Sequence, residues 1–188
     1  MKQAICHLKS LSPYGQSRKV YEPKLPEELN DAYEKRTWRE KAHYDESENI
    51  IIPPMQFANS LKEAAKYLSI QIPGKGKATF TKNFEAGVMV TEPVILPIKK
   101  KDVKGLWLFV PADGRRGSGK RVDKCFPVID SWEGTVTYNV IDDIITEEVF
   151  RKVLIASGSL IGIGFFRPRN CGYYGRFECD KMEWIENV

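Results

Sequence analysis

The run Ile50-Ile51-Ile52 meets Pro53-Pro54, and beyond the prolines Phe57, Leu61, Ala64 or Ala65 and Leu68 recur at helical spacing. That spacing gathers the apolar side chains into one stripe, which a helix can bury only against a second layer of structure. Proline suits the first turn of a helix, where its missing N–H costs nothing. A helix is therefore predicted to start near the prolines and to end near Tyr67, with Lys62, Glu63 and Lys66 on its outer face.

Strand-like segments supply the second layer. Residues 3–8 alternate with period two, as a half-buried strand does. A polar stretch from Ser10 to Asn49 follows, with at most a short helix around Glu27 to Lys41. After a Gly/Lys loop at residues 73–77, Gly87 to Ile98 is β-branched but punctuated by Pro93 and Pro97, which suits a bent or edge strand. Residues 105–110 and 121–129 flank a glycine-rich tip, a pattern that predicts a projecting β-hairpin. Residues 134–141 alternate again, and Thr146 with Glu147 and Glu148 caps a helix bearing Val149, Phe150, Val153 and Leu154. The chain closes with a glycine-rich stretch, Gly158 to Gly175, and a strand from Arg176 to about Ile185.

Reduced to its strongest elements, the order is strand, helix, strand, hairpin, strand, helix, strand. That is the β-α-β-β-α-β order of a ferredoxin-like α+β fold. The 188 residues read as a single RRM-like domain, with insertions at about 10–49 and 99–132. The amino-terminal residues lack the apolar core and cleavage site of a signal peptide, and no apolar run approaches the ~18 residues of a membrane span. The four cysteines, Cys6, Cys125, Cys171 and Cys179, show no two-residue spacing of a metal knuckle or redox motif. They suit a reduced, cytoplasmic setting with structural thiols, no cofactor and no metal.

Charge is modest overall and uneven locally. Lys99 to Lys124 carries nine basic residues against three acids, while the remainder of the chain sums to −2. Such concentration suits a polyanionic partner or a solvated loop. Within it, Gly114-Arg115-Arg116-Gly117-Ser118-Gly119-Lys120 matches the spacing of a phosphate-binding P-loop up to the lysine. Arg121 then stands where Ser or Thr should hold magnesium, and a strand-like run follows instead of a helix. Nucleotide hydrolysis is therefore not expected, and Arg115, Arg116, Lys120 and Arg121 are candidates for contact with a nucleic-acid backbone.

The carboxy-terminal stretch is a second candidate surface. Its five glycines allow close backbone approach, Arg167, Arg169 and Arg176 supply charge, and Tyr173 and Tyr174 offer stacking faces. The competing reading is a structural turn with Phe165, Phe166 and Tyr174 in the core.

The run from Ile51 to Ala65, Ile-Ile-Pro-Pro-Met-Gln-Phe-Ala-Asn-Ser-Leu-Lys-Glu-Ala-Ala, resembles the element that opens the first helix in the RAMP superfamily of CRISPR proteins, with Pro54 in place of a small glycine. The stretch Gly158 to Gly175 resembles that superfamily's glycine-rich loop before the last strand. Within the superfamily the resemblance is greatest to the repeated backbone subunit that coats guide RNA and inserts a β-hairpin thumb. It implies backbone contacts from Asn59, Ser60 and Lys62 and from the arginines of the glycine-rich stretch. The expected partners are single-stranded RNA or DNA, further copies of the chain or CRISPR effector subunits, and no membrane.

RAMP-type processing nucleases commonly use histidine, and this chain has His7 in the first strand and His43 in the polar insertion. Either position suits a structural or solvated imidazole. The expectation is a binding subunit without enzymatic activity or catalytic residues. A guide-RNA-processing endoribonuclease ranks second, and a virus- or prophage-borne protein that copies the fold to block a CRISPR complex is a third reading.

Overall fold

Along the first strand every second residue is buried: Ala4, Cys6 and Leu8 face inward while Gln3, Ile5 and His7 stay partly exposed. The computed structural model describes residues 1–114, 117 and 119–186. In chain order its elements are β1 (Lys2–Ser10), β2 (Tyr14–Gly15), α1 (Asn30–Thr37), β3 (Asn49–Ile52), α2 (Pro54–Leu68), α3 (Thr81–Gly87) and β4 (Val88–Met89). There follow β5 (Val94–Lys99), β6 (Lys104–Pro111), β7 (Arg121–Ile129), β8 (Glu133–Val140), α4 (Glu147–Ala156) and β9 (Phe177–Ile185).

The central sheet has the order β4-β8-β1-β9 and is antiparallel throughout. Register places Ala4 opposite Tyr138 and Cys6 opposite Val136, so the buried residues of both strands share one face. On that face lie the stripes of α2 (Phe57, Leu61, Ala64, Ala65) and α4 (Phe150, Val153, Leu154). Phe57 meets Trp132 and Phe177 edge-on, and Phe150 meets Tyr138 edge-on and Trp184 at a tilt. Each fully buried side chain of this size contributes about 1.5–3 kcal/mol. The structure is thus mixed α and β with antiparallel sheets.

Local signals act as their chemistry dictates. Pro54 begins α2 after an extended Pro53, and the helix stops at Ser69, whose left-handed backbone (φ 48°) turns its N–H to the carbonyl of Ala65 at 3.0 Å. The Thr146 hydroxyl accepts from the N–H of Val149, and Glu147–Arg151 and Glu148–Lys152 pair along the exposed face of α4. The predicted hairpin is β6 and β7, paired from Lys104–Val128 to Pro111–Arg121. Because Lys120 leads into a strand, no helix N-terminus stands behind the P-loop-like spacing.

Two elements differ from the sequence pattern. Gly87 to Ile98 is not one bent strand: β4 joins the edge of the central sheet while β5 pairs with β3 in a separate sheet. Pro93, which has no N–H for a ladder, stands between them. The helix α3, held by buried Phe84 against Phe150, carries too few apolar residues for periodicity to reveal.

The polar insertion is tied down by buried polar groups. Gln16 donates to the carbonyl of Ile51 at 2.8 Å and accepts from the N–H of His43 at 2.6 Å. Glu34, also buried, accepts from the ammonium of Lys41, from Lys124 at 3.1 Å and from the N–H of Cys125 at 2.8 Å. Burial opposes ionisation of Glu34, but Lys41, the Cys125 N–H and Lys124 outweigh it and hold the carboxyl below its ordinary value. The root of the hairpin is therefore fixed to α1 and the 3₁₀ turn after it.

Candidate nucleic-acid interface

The glycine-rich stretch folds back on the start of the chain. Gly164 has φ 77°, and a Cβ there would lie 2.3 Å from the carbonyl oxygen of Gly15. Gly175 has φ 78°, and a Cβ would lie 1.8 Å from the oxygen of Ile163. Only glycine meets both demands, left-handed backbone and close approach. Backbone bonds then fasten the stretch: Phe165 N–H to Gly15, Ile163 N–H to Gly175, and Gly175 N–H to Pro13.

This folding sets the stretch beside the outer face of α2. Gln56, Asn59, Lys62 and Glu63, which helical spacing places on one face, form one wall of an open groove of about 520 Å³. Ile163, Gly164, Phe165, Arg167 and Asn170 form the other, and Ser17 and His43 of the polar insertion also line it. Arg167 Nη2 donates to Glu63 Oε1 at 2.7 Å, and Arg169 Nε lies 4.0 Å from Glu63 Oε2. Burial, and secondarily the charge of Arg18, lowers the pKa of His43 and favours the neutral ring.

Of the residues predicted from sequence, the groove brings together Asn59, Lys62 and Arg167, with Arg169 at its edge through Glu63. Ser60 is corrected: it is fully buried and bonds the oxygen and hydroxyl of Ser157, joining α2 to the end of α4. A residue one position beyond Asn59 turns to the inner face of the helix. Arg176 is not among the residues lining the groove. Its guanidinium donates to the carbonyls of Ser159 and Tyr173, both at 3.3 Å, within the loop.

Tyr173 is 62% exposed and available for stacking, but it is not a groove residue. It touches Tyr174, which leads through Phe165 to Phe126 on β7 in a chain of ring contacts. Phe165 and Tyr174 thus join the loop to the hairpin. On the hairpin, Arg121 donates to the carbonyl of Phe109 at 2.5 Å and lies over its ring, and Lys120 is exposed. Arg115 and Arg116 lie outside the described residues.

Gln56, Glu63, Phe165, Asn170 and His43 were not identified as site residues from sequence. Helical spacing from Asn59 would have found Gln56 and Glu63; the others needed the loop's path. His7, on the central sheet, bonds Asp180 at 2.8 Å away from the groove. Lys9, with His7, holds the Asp180 carboxyl down at about 2.

Neither a family model nor a curated protein matches the sequence. By structure, the chain superposes on a chain of the type III-B Cmr-beta bound to cognate target RNA, solved by cryo-EM, with a TM-score of 0.53 and 10% identity. The match covers 98% of this chain and 61% of that one. The two chains share a fold. The chain spans 61% of the length of the chain it matches, so what the two share is a scaffold and not a whole. A Cas6 product complex aligns with 94% of this chain and 51% of its own, at 16% identity and TM-score 0.33. A CRISPR RNA-guided surveillance complex aligns with 84% and 58%, at 12% and 0.33. Scores that low carry no weight for fold or function. Among the described residues, no helix is long and apolar enough to cross a membrane.

Proposed function

We propose that the chain is a non-enzymatic RNA-binding subunit of a CRISPR effector-type assembly, holding a single strand along the groove between α2 and the glycine-rich loop. The observation that carries this reading is that Asn59 and Lys62 of α2 and Arg167 of the loop, 105 positions beyond Lys62, line one groove. Positive side chains and amides along an open channel suit a phosphate backbone, and exposed Tyr173 suits a base. The basic hairpin, fixed at its root, extends the surface as a thumb, and neighbouring copies assemble side by side along the strand. A ferredoxin-like core is supported by the strand order β4-β8-β1-β9 with α2 and α4 on one face.

The test is to purify the chain, compare its absorbance at nucleic-acid and protein wavelengths, and sequence whatever nucleic acid accompanies it. Salt-dependent binding of single-stranded RNA is expected; a nucleic-acid-free chain that binds no single strand refutes the reading.

One observation favours the endoribonuclease as the second reading: His43, whose pKa burial lowers, lines the groove. A neutral imidazole is the form that accepts a proton from a ribose hydroxyl. Metal-independent cleavage of a hairpin RNA that is lost in His43→Ala but kept in His7→Ala would establish it.

A further inference from the structure

We propose that Glu63 occupies, in the free protein, the position that a backbone phosphate takes when a strand is bound, so that binding exchanges carboxylate for phosphate at Arg167 and Arg169. The inference rests on the single-strand reading of the groove. Three observations carry it. First, Glu63 pairs at 2.7 Å with Arg167 of the opposite wall and lies 4.0 Å from Arg169 at the groove's edge. The guanidinium fork fits carboxylate and phosphate oxygens alike, so a carboxylate held there marks an anion position. Second, Glu63 is not needed for packing. Its side chain is 36% exposed on the outer face of α2, while Leu61, Ala64 and Ala65 on the inner face are buried. Third, Lys62 and Asn59 line the same groove, so a phosphate replacing Glu63 joins a row of donors instead of an isolated arginine.

The opposite role, Glu63 holding the arginines in place for the strand, predicts the opposite sign. An ion pair this exposed is held only weakly, by roughly threefold in an equilibrium constant, so a polyanion making several contacts displaces it.

The experiment titrates an end-labelled oligouridylate, followed by fluorescence anisotropy at a series of salt concentrations, with the parent, Glu63→Gln, Arg167→Gln and the double variant. Glu63→Gln should bind about three- to fivefold more tightly at low salt. Its logarithmic salt dependence should steepen by up to about 0.7, one additional phosphate contact. In the Arg167→Gln background the same substitution should lose most of its effect. If Glu63→Gln binds no better than the parent with an unchanged slope, or binds worse, the exchange is overturned while the parent's salt-dependent binding preserves the single-strand reading. If the parent and all variants fail to bind, that reading falls and this inference with it. Should Gln lower the melting temperature, Glu63→Ala removes the same charge with a residue of high helix propensity and decides the sign.

Discussion

Glu34→Ala removes the acceptor on which the hairpin root converges. The loss leaves the N–H of Cys125, bonded at 2.8 Å in the parent, unpaired in a buried setting, at about 1–3 kcal/mol. It also leaves the Lys41 ammonium, whose side chain is 11% exposed, without its carboxylate; deleting one partner of a buried pair costs about 3–5 kcal/mol in all. Lys41 keeps its bond to the Cys125 carbonyl at 2.9 Å and its place over the Phe126 ring, which points to the lower end. Lys124, 38% exposed, adds little. The expected loss is about 3 kcal/mol, or a fall in melting temperature of roughly 6–12 °C for a domain of this size. Urea unfolding followed by circular dichroism measures it. Because the folded carboxyl has a pKa below its unfolded value, its contribution is complete above the unfolded value and fades as the pH falls through the folded one. The gap between variant and parent should therefore narrow in acid. Glu34→Leu combined with Lys41→Met, which removes both charges of the buried pair, should recover the part of the loss due to the uncompensated ammonium and leave the roughly 1–3 kcal/mol of the unpaired Cys125 N–H. A loss below about 1 kcal/mol for Glu34→Ala, or a gap that widens in acid, would refute the reasoning.

Lys62→Ala should weaken single-strand binding and lower the logarithmic salt slope by about 0.7 with an unchanged melting temperature, as judged by salt titration. Gly164→Ala forces a Cβ to within 2.3 Å of the Gly15 oxygen at φ 77°, so it should destabilise by more than about 1 kcal/mol and reduce binding together with stability in parallel melting and binding assays. Ser60→Ala removes a buried hydroxyl bonded to Ser157 and should cost about 1 kcal/mol in urea unfolding, yet leave affinity unchanged; a selective loss of affinity would return Ser60 to the site. Tyr173→Ala should lower affinity by about 1–3 kcal/mol of stacking free energy without altering the melting curve, and an unchanged affinity would confine this tyrosine to the loop.

The amino-acid sequence by itself determined the local elements. Period-two alternation marked β1 and β8, the prolines and the apolar stripe marked α2, and Thr146 marked the start of α4, because these signals act through neighbours a few residues apart. It also placed the hairpin arms and singled out Asn59, Lys62 and Arg167, which the structure brings to one groove, since charge and helical face are written in the residues themselves. The tertiary structure alone decided where those side chains go. Ser60 and Asn59 are adjacent in sequence, yet one bonds Ser157 in the interior while the other lines the groove. Glu63 looks like an ordinary solvated helix charge until the glycine-rich stretch, bonded at Gly15 and Pro13, brings Arg167 against it. Such pairings join positions about a hundred residues apart, and no local period records them. They follow from the one path the backbone can take when Gly164 and Gly175 permit contacts that any side chain would block.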